Sequence, residues 1–534
     1  MKKTNSEFAK VQTAMVNGQY VKVINLCQKL LEKNPEDIDL LLFLGEAQLR
    51  TEQFQEALQH FARVVELDNQ NIRGINNFGA ALLRNNQYKH AIEIYEYGLE
   101  LDPKNYDFLV NICNAYQGLG QPEKSLQTAM RAIELQPNGY MAYNNLGTAL
   151  GDLLYLEEAR QAYLTAITLN PGYLISVINL AQLEVKFGEH AKGLQHYESA
   201  LKNKNITPSY AELIKYYMSH SLLLLGEIDI GWDFYEFGFS PMLPMGAWRS
   251  TRKFKQPRWD GKLETSQRIL IWREQGLGDE ILFSSCLGEL AEAGLNVILE
   301  CDPRLIPVFK RTYPEFEIRA EQINQLGYST ANDFDVQCPV GSLPKYFRRS
   351  ISDFDRPTRT WLPEISKLEQ IKQRLEPYQE KILVGICWSS GSLNIARNKN
   401  YTNLIDWQEL LTQDHLQFVN LHYGQCEAEI LEVEKALGIS ILRWPDIDLR
   451  NDLEAVLALI SQLDCVCSVA TSVSIMAGIA GVPTNVLLRK SWILLGQEDS
   501  YPWFHNVKPF VVGHHDHVGL KIKELKPFIQ KRLR

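Results

Sequence analysis

Two hydrophobic rhythms divide the chain. Through the first 240 residues apolar positions recur at helical spacing inside a longer period of 34 residues. Proline marks the period at Pro35, Pro103, Pro137 and Pro171, with Asn69 and Asn205 filling the register. Small residues recur at Ala57, Ala91, Ser125, Ala159 and Gly193, and again at Gly45, Gly79, Cys113, Gly147 and Ala181. Small residues at fixed points let paired helices approach closely, and proline ends the second helix of each pair. The predicted units are 4–37, 38–71, 72–105, 106–139, 140–173 and 174–207, with a degenerate seventh, 208–241, capping the stack. Stacked pairs of this kind form an α-solenoid whose concave face holds extended peptides.

Beyond this point the rhythm changes. Pro241, Pro244, Gly246, Pro257 and Gly261 interrupt any helix, while Trp248, Arg249, Arg252, Phe254, Arg258 and Trp259 make 242–267 too aromatic for a loose tether. An ordered connector is expected there, its basic residues paired within it or turned toward an anionic ligand. Short apolar runs then alternate with amphipathic ones. Strands are predicted at Ile269–Ile271, Val297–Glu300, Phe316–Ile318, Lys381–Trp388, Phe418–Leu421, Cys465–Val469 and Thr484–Leu488. Helices are predicted over Ile281–Leu290 and near 405–412, 427–436, 452–462 and 473–480. Such alternation implies parallel sheets covered by helices on both faces. Two blocks, 268–365 and 366–534, imply two Rossmann-like halves with a cleft at the carboxyl ends of their strands.

Composition narrows the class. Apolar content of 45% and charged content of 22% suit a soluble globular chain, and a net charge of −9 argues against nucleic-acid binding. No apolar run is long enough to span a membrane, and the lysines of the first residues have no apolar core behind them, so a cytoplasmic protein is expected. Nine scattered cysteines suit reduced thiols. Cys465 and Cys467 share one strand face without a second ligand pair, and no metal or cofactor is expected.

The candidate chemistry gathers at Glu274-Gln275-Gly276-Leu277-Gly278-Asp279, a glycine turn between strand and helix. Glycine lets a ligand approach the backbone, the helix start presents free N–H groups to an anion, and Glu274 and Asp279 are acid/base candidates. Asp279 also suits the cap of the following helix. Trp388-Ser389-Ser390-Gly391 ends another strand, with Arg397, Lys399 and Tyr401 on the polar loop after it. His422 and Tyr423 follow a third strand, Asp452 opens a helix or caps it, and Thr471, Ser472 and Val473 begin a helix after a fourth. In the repeats, Asn77, Asn111, Asn145 and Asn179 stand 34 residues apart, a column of amides that can bridge neighbouring repeats or grip a peptide backbone.

The 34-residue unit resembles the tetratricopeptide repeat, and the asparagine column resembles the ladder in the repeat domain of the eukaryotic O-GlcNAc transferase. Glu274-Gln275-Gly276-Leu277-Gly278-Asp279, Trp388-Ser389-Ser390-Gly391 and Thr471-Ser472-Val473 together resemble a bacterial group that fuses such repeats to a GT-B glycosyltransferase domain related to the heptosyltransferases. Some of that group are flagellin glycosyltransferases. The resemblance implies an α-solenoid followed by an α/β GT-B domain, working without a metal. It implies transfer of a sugar from a nucleotide-sugar, such as a CMP-nonulosonic acid like pseudaminic acid, to Ser or Thr of a protein such as flagellin.

The resemblance also places the catalytic base at Asp279, with Glu274 second. Donor contacts are expected from Gln275, Gly276, Gly278, Trp388, Ser389, Ser390, Gly391, Arg397, Tyr401, His422, Tyr423, Asp452, Thr471, Ser472 and Val473. Acceptor contacts are expected from Asn77, Asn111, Asn145 and Asn179. Related transferases often carry an aspartate and a histidine where this chain has Ala470 and Ile475. That departure leaves a second reading, a repeat scaffold with a non-catalytic domain.

Overall fold

A computed structural model describes residues 2–51, 53–204, 206–240, 242–243, 249, 252–324, 327–390, 400–513 and 516–531. The chain divides into two compact units, 1–183 with 198–205, and 184–197 with 206–534.

The first unit is a tetratricopeptide-repeat solenoid of paired helices. Its first helices include Ile38–Arg50, Ile72–Arg84, Tyr106–Gly118 and Tyr140–Asp152, each partnered by a second helix such as Phe54–Leu67 or Leu156–Leu169. Asp37, Asn71 and Asn105 begin three of them, each side chain accepting from the N–H three residues on, at 3.1, 2.9 and 3.1 Å. The small-residue column has a direct cause. A Cβ on Gly45 would come within 2.6 Å of the Phe61 ring, and one on Gly147 within 2.8 Å of Tyr163. Where the column carries Cys113, the position sixteen residues on is Ala129, so bulk lost on one helix accommodates bulk gained on the other.

The asparagine column lies at the seams between repeats. Asn77 Nδ2 donates to Glu46 at 2.8 Å, and Asn111 Nδ2 to Asn76 Oδ1 at 3.2 Å. Asn145 Nδ2 donates to the Val110 carbonyl at 3.1 Å, and Asn179 Nδ2 to Asn144 Oδ1 at 3.1 Å. In each case the acceptor belongs to the preceding repeat, so the amide donors tie the solenoid together. Asn144 and Asn145 are themselves buried. At the partly buried positions Asn77, Asn111 and Asn179 each amide keeps a second N–H and its oxygen for a peptide, whereas the buried Asn145 oxygen already accepts from Asn144 Nδ2 at 3.3 Å.

The second unit holds two parallel sheets. Strands β1 (Ile269–Trp272), β2 (Val297–Cys301), β3 (Glu317–Ala320) and β4 (Val336–Pro339) form one, in the order β3-β2-β1-β4. Strands β5 (Ile382–Cys387), β6 (Leu416–Asn420), β7 (Ile441–Leu442), β8 (Cys465–Val469), β9 (Thr484–Arg489) and β10 (Val507–Val512) form the other, in the order β10-β9-β8-β5-β6-β7. Both reverse direction beside their first strand, the doubly wound arrangement that opens a crevice at the carboxyl ends. Strands β1 and β8 are buried along their whole length, which is why they read as unbroken apolar runs.

Helices Pro208–Leu225 and Ile228–Tyr235, expected to cap the solenoid, belong to this second unit. Leu223, Ile228, Trp232 and Tyr235 share one apolar core with residues of both sheets, and the Trp232 indole donates to the Arg348 carbonyl at 2.9 Å. Helix Pro208–Leu225 ends on Gly226 at φ +87°, against Gly496 at φ +81°. A Cβ on Gly496 would lie 2.9 Å from the Gly226 Cα, so two backbones meet there with no room for a side chain.

Because Asn145 is buried and Asn77 is partly open, truncation should cost unequal amounts. Asn145→Ala should lower the opening free energy of helices Tyr106–Gly118 and Tyr140–Asp152 by about 1–3 kcal/mol in amide hydrogen exchange, while Asn77→Ala should change it by less than about 1 kcal/mol. Equal losses would contradict the placement.

Candidate active site

The carboxyl ends of both sheets open onto one cavity of about 1080 Å³ within the second unit. From the first sheet, the turn after β1 brings Gly276, Gly278 and Asp279. From the second come Ser390 after β5, Tyr423 after β6, Ala470 to Met476 after β8, and Arg489 to Ile493 after β9. Tyr401 joins from the loop beyond Ser390. Gly391 and Arg397 lie outside the described residues.

Helices from the two halves meet at Gly278. A Cβ there would sit 3.5 Å from Ile475 Cδ1 and 3.8 Å from the Ser472 Cα, so helix Leu277–Phe283 begins against helix Ser472–Ile479. The first helix starts at Gly276, with no side chain to cap it. The second is closed on itself, because Thr471 and Ser474 form a reciprocal capping box. Thr471, Ser472 and Val473 therefore offer an anion fewer free N–H groups than their position after β8 suggested. Ala470 and Ile475 also line the cavity, which confirms that no carboxylate or imidazole enters from those two positions.

Several expected residues stand behind the wall. Trp388 is buried, its indole donating to Glu429 at 2.9 Å and stacking on His422 at 4.7 Å. His422 Nδ1 accepts from the Gly424 N–H at 3.0 Å, which leaves the proton on Nε2, 2.7 Å from Ser389 Oγ. Burial lowers the His422 pKa and favours this neutral tautomer. Ser390 Oγ bonds the Tyr423 hydroxyl at 3.1 Å at the cavity edge. Asp452 accepts from the Ala455 N–H at 3.0 Å and pairs with Lys367, so it is a helix cap, and it does not line the cavity.

Glu274 and Gln275 also turn away. The Glu274 side chain is fully buried, accepts from Arg249 Nε at 2.9 Å and from the Gly341 N–H at 3.0 Å, and takes a second bond from the Arg249 guanidinium. Burial pushes its pKa up and Arg249 pulls it down. Burial likewise works against the Arg249 charge, but Glu274 and Glu236 more than offset it. Gln275 Nε2 donates to the Tyr235 hydroxyl at 2.6 Å. The remaining connector arginines are paired as well, Arg252 with Glu300 and Arg258 with Glu236. These described arginines hold the connector on the sheet and do not face a ligand.

The cavity contains residues that sequence reasoning passed over. Lys186, Arg304, Arg450, Arg489 and Lys490 line it, with Asp279 the one carboxylate among the described lining residues. Arg304 is paired with Asp302 and Lys490 with Glu498, so the excess of positive charge at the cavity is smaller than five cations against one carboxylate. Arg489 and Lys490 directly follow a predicted strand, so the carboxyl-end rule could have found them. His220 and Trp492 had no such signal. His220 packs edge-on to Trp492, Tyr216 and Tyr235, and burial lowers its pKa to about 4, so it is neutral near pH 7. Tyr501 lines the cavity with Asp279, and burial, with that charge acting through space, keeps its hydroxyl protonated. Among the described residues no His, Cys, Asp and Glu side chains gather as a metal site, and no helix is long and apolar enough to cross a membrane.

Comparison with known proteins agrees with the first unit. Tetratricopeptide-repeat profiles match residues 14–75, 82–150 and 142–173. Protein FlbA of Caulobacter vibrioides is 31% identical over 348 residues, covering 62% of this chain. The chain spans 57% of that relative's length. Among solved structures, a tetratricopeptide repeat protein from Parabacteroides merdae is 17% identical, with a TM-score of 0.39, over 44% of this chain and 92% of its own. YrrB, a repeat protein with an unusual peptide-binding site, is 22% identical, with a TM-score of 0.26, over 33% of this chain and 90% of its own.

Two measurements probe this wiring. Arg249→Met leaves Glu274 and Glu236 buried without their shared partner and should destabilise the second unit by about 3–5 kcal/mol in denaturant unfolding. Glu280 is 3% exposed, accepts from the Asp302 N–H at 2.9 Å, and is pushed up to about 7 by burial. Its folded pKa lies above its unfolded one, so the native state binds the extra proton and stability falls as pH rises from about 4.5 to about 7. Glu280→Gln removes that dependence. The Tm difference, variant minus wild type, should move in the variant's favour by several degrees between pH 5 and pH 8; a constant difference would exclude it.

Proposed function

We propose that the second unit is a GT-B glycosyltransferase, and that the repeats hold its protein acceptor. The carrying observation is the cavity itself. It lies at the carboxyl ends of two doubly wound sheets, is rich in cations, and contains a single described carboxylate, Asp279, on the turn after β1. A volume of about 1080 Å³ suits a ligand of nucleotide-sugar size.

Asp279 takes the proton of a Ser or Thr hydroxyl as its oxygen attacks the anomeric carbon. The bond between that carbon and the donor phosphate breaks, and the nucleotide leaves with the electron pair. The cationic wall stabilises the charge that develops on it. Tyr501 stays protonated in the same cavity and is available as a hydrogen-bond donor there. Glu274, locked to Arg249, positions the turn and takes no proton. With Ala470 and Ile475 on the opposite side, Asp279 carries the base role alone among the described cavity residues. The family resemblance supplies the candidate pair, a CMP-nonulosonic acid as donor and flagellin as acceptor, with UDP- and GDP-hexoses as other donors. The amide groups of Asn77, Asn111 and Asn179, with neighbouring side chains of the repeats, supply the acceptor grip.

Incubating the full chain with flagellin and these donors should add the mass of one or more sugars. Asp279→Asn should slow the transfer at least about a hundredfold while changing nucleotide affinity less than about twofold. Absence of any mass increase with wild type would favour the reading of the unit as a non-catalytic adaptor.

A further inference from the structure

Arg489 closes β9 at its carboxyl end, in the wall of the cavity. Its Nε is buried and finds no hydrogen-bond partner among the described residues. Burial works against its charge, and Asp516 supplies an opposing charge through space. The other cations nearby are differently placed. Arg304 is held by both carboxylate oxygens of Asp302, each at 2.9 Å, and donates to the Arg450 carbonyl. Lys490 pairs with Glu498, and Arg450 is exposed. Arg489 is only partly buried, but a buried N–H donor without an acceptor is a cost to the fold that persists where a ligand offsets it.

We infer that Arg489 is the phosphate anchor of the cavity, its planar fork receiving the oxyanion of a nucleoside mono- or diphosphate. Guanidinium geometry matches two phosphate oxygens at once, and the carboxyl edge of a doubly wound sheet is where phosphate-bearing ligands sit. The assignment rests on the transferase reading for its role, where Arg489 holds the leaving phosphate as the bond to the sugar breaks. It does not rest on that reading for its existence, because the unmatched donor calls for an anion whether or not a sugar is transferred. Neighbouring Trp492 fixes the loop after Arg489 by packing on Phe283 at 6.1 Å and on Trp503 at 6.4 Å, so the guanidinium is carried on a braced segment.

The test uses the full chain and four probes, CMP, UDP, GDP and inorganic pyrophosphate, in titration calorimetry with thermal unfolding alongside. At least one nucleotide should bind wild type. Arg489→Met should weaken that binding about tenfold to a hundredfold, and Arg489→Lys should recover only part of the loss. Without ligand, Arg489→Met should unfold at the wild-type temperature or above it, since it removes an unmatched buried donor. A merely structural arginine would behave in the opposite way, losing unliganded stability and leaving affinity unchanged, and that pattern would overturn the inference. So would failure of all four probes to bind wild type. Preference for CMP identifies a monophosphate, and preference for UDP or GDP a diphosphate; either supports the anchor. Arg489-dependent nucleotide binding without sugar transfer would reject the transferase and leave the anchor standing.

Discussion

The second unit is organised around the buried guanidinium of Arg249. It meets Glu274 from the turn after β1 and Glu236 from the end of the helical segment, and lies over the rings of Tyr235 and Phe239 at 3.7 and 4.2 Å. One side chain thereby joins the connector, the last helices and the turn after β1. Fully buried charge is tolerable only when every partner is in place, so none of these segments can move alone. Asp279 inherits its position from that constraint: the carboxylate five residues before it is pinned, and the helix beginning at Leu277 departs from a fixed point.

The cavity is correspondingly unequal in its two walls. The first half brings a carboxylate on an uncapped glycine turn, and the second brings cations and a helix whose start is satisfied by its own side chains. The walls meet at Gly278, and the aromatic group of Trp232, Phe283, Trp492 and Trp503 continues the contact beneath them. Arg311, bonded to both oxygens of Glu454 at 2.7 and 2.9 Å, ties the halves again further out. The cavity's carboxylate and most of its cations thus lie on opposite halves held in one core.

Much of this was legible in sequence because it is local. A strict period placed the helices beginning at Ile38, Ile72, Tyr106 and Tyr140, and unbroken apolar runs placed β1, β5 and β8. The short strand β4 escaped, since Val336–Pro339 contains a buried glutamine whose partner, the Trp272 indole at 2.8 Å, is remote in sequence. Long-range pairing also hid the fate of Glu274: nothing near it announces Arg249. The asparagine column was visible as a pattern, but a pattern does not say where an amide donor is spent. His220 was unreadable for the same reason, since its helix fits the repeat rhythm while its neighbours Trp492 and Tyr235 come from elsewhere.

The meeting of Gly226 with Gly496 bears on how such a protein can be taken apart. Repeat arrays and α/β domains look like separable modules, and a cut at residue 241 would follow the sequence rhythm. That cut would strip the backing from the segment carrying Arg489, Lys490 and Trp492, and would remove Val185, Lys186, His190, His220 and Leu224 from the cavity wall. The smallest piece that retains the whole pocket begins near Glu184, inside the repeats. The last helices of the repeat rhythm are therefore physically part of the unit that carries the cavity, and a boundary drawn from periodicity alone falls inside it.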